Sequence, residues 1–310
     1  MKRLQRFRRW LAYEANRIKL PWFQGLSIYN VTVFFMKGIY EGRVTNRAGS
    51  VAFSFFLALF PGILFLFSLI PFFPFEGIED EIFSTFQQIL PPDTYEASKS
   101  TIDDILNNRR SSLLSFGFLF ALLFATNGVN SMISNFNDSY HDFDARGFWK
   151  QQLAAVSLTI VLSILFLIGI VVIIFSSGII NSILKFFDLD AISPFIIESS
   201  RFLLLVGVVL LAIAILYNFG PARRREWHFI SPGSILATLL ILLSSIGFSF
   251  YVSNFAQYNK LYGSIGTLMV IMIWIYLNAL VLIVGFELNA SIASLKAKQK
   301  EKELEFSDDE

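Results

Sequence analysis

Six stretches of this chain, residues 51–75, 113–136, 153–180, 194–220, 231–253 and 266–293, are apolar almost without interruption. About 20 apolar residues in a helix, rising about 1.5 Å each, cross a hydrocarbon core of about 30 Å. Each stretch is long enough. Inside hydrocarbon the backbone must satisfy its own hydrogen bonds, which makes such spans helices. The expected fold is therefore all-α: a polytopic membrane protein, a six-transmembrane-helix bundle with N-terminal interfacial helices and a small helical cap outside the membrane between spans one and two.

The basic residues orient it. Ten Lys and Arg precede the first span, two lie between spans two and three, three between spans four and five, and four in the tail, against six in the segments of the opposite side. Acidic residues divide 12 to 11, with Glu287 inside a span. A rule that counts lysine and arginine rather than net charge puts both termini in the cytoplasm. With 55% hydrophobic and 16% charged residues in 310, most of the chain must lie in lipid. Cysteine is absent, which excludes disulfides, thiolate metal sites and cysteine nucleophiles. The first apolar stretch starts nearly fifty residues in and carries no small-residue cleavage site, so it reads as a retained span, not a signal peptide.

Residues 1–46 read as a cytoplasmic, interfacial amphipathic arm, 47–293 as the membrane domain and 294–310 as a disordered charged tail. In the arm, Leu4, Phe7, Trp10 and Leu11 share a helical face among Arg3, Arg6, Arg8 and Arg9, a pattern suited to anionic headgroups and equally to a topogenic arm. Residues 26–40 form a second short apolar segment expected to run along the membrane surface. Pro61 should kink span one at Leu57. The loop 76–112 carries two amphipathic helical patterns parted by Pro91-Pro92, and its eight acids against three bases make the cap acidic. Ser193-Pro194 and Ser231-Pro232 mark helix starts.

Polar residues within the spans are the candidate sites. Asn127, Asn130, Ser131, Ser134 and Asn137 fall on one helical face of span two, and amides are costly in hydrocarbon. Two readings are open: the stripe bonds helices together, or it lines a cavity. Either way Asn127, Asn130 and Ser134 should turn toward spans five and six, where Ser249, Asn278 and Glu287 stand, with Asn289 a further polar candidate. Glu287 is the only acid in the interior of a span, Glu198 lying near the outer edge of another. It is read as a structural acid bonded to span-two amides or to Arg223, Arg224 and Arg225, with proton or cation coupling the sharper alternative. Those three arginines, with Arg6, Arg8 and Arg9, are the headgroup candidates.

Nothing points to an enzyme. His141 near Asp142 and Asp144, and His228 beside Trp227, fall short of the three or four converging ligands of a metal hydrolase. Phosphate-loop and nucleophile-elbow patterns are missing, no metal or cofactor is implied, and the basic residues do not suit a nucleic acid.

Several blocks resemble the YihY/BrkB family of bacterial inner-membrane proteins. They are AGSVAFSFFLALFP from Ala48 to Pro61, the Asn-rich end of span two, Tyr217 to Pro221 and Pro232-Gly233. The strongest lie further on: Tyr251-Val252-Ser253-Asn254-Phe255-Ala256, Tyr262-Gly263-Ser264-Ile265-Gly266, Trp274-Ile275-Tyr276, and Gly285-Phe286-Glu287-Leu288-Asn289-Ala290. The resemblance implies six spans with both ends inside. The family's usual small residue before the last motif's acid is Phe286 here, which implies altered packing beside Glu287. Family labels have included a virulence factor and a ribonuclease; the residues offer no nuclease site. The functional expectation is transport or export of a lipid or other amphipathic molecule without ATP hydrolysis. The alternative is a scaffold that docks an envelope protein on its acidic cap.

Overall fold

The computed structural model describes residues 25–69, 111–139, 146–186, 194–222, 229–255 and 264–308, with Lys99 and Asp103. They form helices α1 (Ile28–Glu41), α2 (Val44–Leu69), α3 (Ser111–Asn137), α4 (Phe148–Phe186), α5 (Pro194–Phe219), α6 (Pro232–Phe255) and α7 (Ser264–Asp308), with no strand among the described residues. Six carry segments long and apolar enough to cross a membrane: Val44–Leu66, Leu114–Asn137, Phe148–Ile170, Ser199–Phe219, Pro232–Val252 and part of Gly266–Glu305. Large apolar side chains stand exposed along all six, among them Phe53, Phe116, Phe166, Leu203, Ile246 and Met269. That surface suits lipid as the solvent.

Local chemistry places the helix ends. Ser27 caps α1 by accepting the Asn30 N–H at 3.2 Å. At its other end the Gly42 N–H returns to the Gly38 carbonyl at 2.8 Å, and Arg43 takes φ +46°, a left-handed turn that delivers the chain into α2. Pro194 and Pro232 open α5 and α6, as their sequence signals predict. At α6 the Ser231 N–H donates to Ser234 Oγ at 3.0 Å while Ser231 Oγ accepts the Ser234 N–H at 3.1 Å. This is a reciprocal cap of the capping-box kind.

Two boundaries differ most from expectation. Span one starts not at residue 51 but at Val44, because the turn at Gly42-Arg43 is the real break. The tail expected to be disordered from residue 294 continues α7 to Asp308. Its residues are mostly strong helix formers, and Gln299 donates to Glu303 one turn on, at 3.1 Å. Leu295 and Lys298 also pack it on α1, the Lys298 ammonium lying 5.1 Å from the Phe34 ring. The arm 1–20 and nearly all of the predicted cap 76–112 lie outside the described residues.

The chain divides into two compact units, Met1–Ala48 with Met132–Leu243 and Leu280–Glu310, and Gly49–Ser131 with Ser244–Ala279. In the first, Val31 of α1 and Leu26 just before it are buried against Leu288 and Ile292 of α7, with Phe35, Leu236 and Leu295 around them. In the second, glycines let α3 approach α2 closely. A Cβ on Gly117 would lie 3.3 Å from the Phe65 backbone, and one on Gly128 2.9 Å from the Phe55 ring. Phe248 packs on Trp274 with ring centres 4.8 Å apart.

Candidate functional site

Among the described residues, the densest polar constellation lies in the first unit and starts from Arg47. Val44, Ala48 and Val51 form the buried stripe of early α2, at 2%, 0% and 0% exposure. Arg47, three residues after Val44 and four before Val51, falls on that stripe and must carry its charge inward. Its Nη1 donates to Glu287 Oε2 at 3.4 Å and to the Gly42 carbonyl at 3.4 Å. Nη2 donates to Ser139 Oγ at 2.6 Å and to the backbone carbonyl of Asn135. The two charged side chains are only 11% and 8% exposed.

The pattern has an electrostatic cause. α1 and α3 both end here, and the last carbonyls of a helix have no intrahelical partner and carry partial negative charge. A guanidinium, with five donors in a plane, can serve two such ends and a carboxylate together. Gly38 makes room: a Cβ there would sit 2.5 Å from Glu287 Oε1. α1 thus lays bare backbone over the carboxylate. Glu287 takes Arg47 as its partner, a residue that the sequence reading counted only as a topology charge.

Neighbouring contacts fasten other helix ends. Arg146 donates to the carbonyls of Gly220 at 2.9 Å, Pro221 at 2.6 Å and Phe219 at 3.4 Å, capping the end of α5. Asn137 Oδ1 accepts the Ala222 N–H at 2.9 Å. Asn289 of α7 accepts the Gly233 N–H and donates to Ser231 Oγ, both at 2.8 Å, and so caps α6 from another helix. Beside Glu287, Phe286 stacks on Phe136 at 4.2 Å and meets Tyr217 edge-on at 5.4 Å. The Tyr217 hydroxyl donates to the Leu282 carbonyl at 2.6 Å. Gly285 permits the approach, since a Cβ there would lie 2.7 Å from that of Ala237.

Ser134 and Asn127 of the stripe do not meet the partners expected of them. Ser134 accepts from Gln151 of α4 at 3.1 Å. Asn278 donates to the Trp274 carbonyl of its own helix at 2.8 Å. Asn127 and Ser249 are exposed, while Asn130 and Ser131 are half-buried. The expectation that Asn127 and Ser134 turn toward Ser249, Asn278 and Glu287 is therefore corrected: a position on one face of a helix does not say which helix that face meets. Arg6, Arg8, Arg9, Arg223, Arg224, Arg225, His141 and His228 lie outside the described residues. Arg47 and Arg146 are the residues that sequence reasoning missed. For Arg47 the signal was present, as a cation on an apolar stripe.

Membrane-length helices whose ends are tied by buried polar contacts define a multi-pass α-helical membrane protein. Residues 35–309 match the family described as Virulence factor BrkB, and the chain belongs to it. It is 31% identical over 258 residues to the ribonuclease-like protein YfkH of Bacillus subtilis (strain 168), covering 83% of this chain and 92% of YfkH. It is 27% identical over 282 residues to a UPF0761 membrane protein of Histophilus somni (strain 129Pt), covering 86% and 93% of the two. A UPF0761 membrane protein of Tolumonas auensis is 26% identical over 263 residues, 84% of each chain. No solved structure matches.

Proposed function

We propose that this integral membrane protein sits in the bacterial inner membrane with both termini in the cytoplasm and moves a lipid or other amphipathic molecule across it without ATP hydrolysis. One observation carries the reading. Asn127 lies at the middle of the membrane-length segment Leu114–Asn137, yet its side chain is exposed. A primary amide facing plain hydrocarbon is costly, so a face that presents one at mid-membrane suits a passing polar group or water. The near-absence of charge in the spans supports a lipid over an ion, whose path normally shows more intramembrane charge. The buried Glu287 is held by Arg47, itself bonded to two helix ends, as a structural acid would be.

The test is reconstitution. Purified protein in vesicles with an acyl-NBD lipid in both leaflets should let external dithionite bleach more than the outer-leaflet pool. Bleaching that stops at the protein-free level would remove the transport reading. The docking-scaffold alternative, motivated by the acidic loop 76–112, would then be preferred.

A further inference from the structure

We propose that the headgroup moved is uncharged, recognised through hydroxyl or amide groups, and that it is held on the exposed face of α3; this rests on the transport reading above. Phe116, Leu119, Phe120 and Leu123 stand exposed on α3. The same helical face continues through Asn127, exposed, to Asn130 and Ser131, half-buried. Gly117 and Gly128, on a neighbouring side of the helix, pack against Phe65 and Phe55 of α2 and set its rotation. The face is thus apolar and aromatic over its first part and polar over the next. From Phe116 to Ser131 it runs about 22 Å at about 1.5 Å per residue, enough for a hydrocarbon chain and its headgroup end to end. Thr126, 3% exposed, adds a buried hydroxyl with no hydrogen-bond partner among the described residues, one turn before Asn130.

Charge selects the class. No lysine or arginine occurs at residues 48–98, 111–145, 226–259 or 261–295, which include those parts of the membrane-length segments that fall in the second unit. A phosphate or carboxylate entering this face would leave water and meet only amides and hydroxyls, too little to replace its hydration. A sugar or other hydroxylated headgroup is matched donor for acceptor by the same side chains. Arg47 offers no substitute, being committed to Glu287, Ser139 and two helix ends.

The experiment runs two probes in parallel on vesicles holding the full chain: an acyl-NBD monohexosyl glycolipid and acyl-NBD phosphatidylglycerol. The glycolipid should become accessible to dithionite faster than in protein-free vesicles, and phosphatidylglycerol should not. Asn127→Leu should slow the glycolipid by about three- to tenfold, the effect of one lost hydrogen bond, with the melting temperature unchanged. Phosphatidylglycerol moving as fast as the glycolipid would overturn the headgroup assignment and leave transport standing. An unaltered rate in Asn127→Leu would overturn the placement on α3. Neither probe moving would overturn the transport reading itself, and this inference with it.

Discussion

At Glu287 the energetics depend on which partner is removed. Its carboxylate is buried at 6% residue exposure, with Arg47 3.4 Å away and the Gly38 backbone above it. Arg47→Ala leaves that charge without its counter-ion and should cost about 3–5 kcal/mol. Glu287→Gln keeps the shape but weakens a charged hydrogen bond, and should cost about 1.5–3 kcal/mol. Replacing both by leucine should cost less than the sum of the single changes, because neither charge is then stranded. Thermal unfolding of the four proteins in one detergent measures this; an Arg47→Ala variant that melts with the parent would show that the pair is not a support. Glu287 was legible in the sequence as a buried acid needing a partner. Arg47 was not recognised, because the apolar window starting at residue 51 left it among the basic residues ahead of the span.

For whole elements, α1 and α6 depend on contacts from α7. Val31 of α1 is 1% exposed against Leu288 and Ile292. Since the chain has no cysteine, Val31→Cys is a clean probe and should resist a thiol reagent. Adding Gly38→Leu drives a side chain into the Glu287 carboxylate and should expose that cysteine; continued protection would mean that α1 docks without help from Gly38. Asn289→Ala removes the acceptor of the Gly233 N–H and should cost about 1 kcal/mol, as lost caps do. Faster amide exchange confined to the first turn of α6 would locate the loss. Asn289 reads from sequence as one more polar residue in a span. That it caps a different helix is a fact of packing, and no period along α7 contains it.

Across the whole molecule, the uneven spread of lysine and arginine sets which loops face outward. Single cysteines at Ser98 and Asn259 should react with an impermeant thiol reagent outside intact cells, and those at Arg224 and Ser307 should not. Labelling at Arg224 would reverse the orientation and with it the side from which a headgroup enters.

What the sequence determined alone is the part that depends on solvent. Long apolar runs specify membrane helices because the bilayer rejects an unpaired backbone, and all six were readable, within one residue at half of their ends. The starts of α5 and α6 were readable too, because a proline cap is a local device. Tertiary structure decided the pairings: Arg47 with Glu287, Arg146 on the end of α5, Asn289 on the start of α6, and Asn127 left exposed while Ser134 found Gln151. Periodicity reports which residues share a face. Only packing decides what that face meets, since the same polar stripe can bond a neighbouring helix over one stretch and stand open over another.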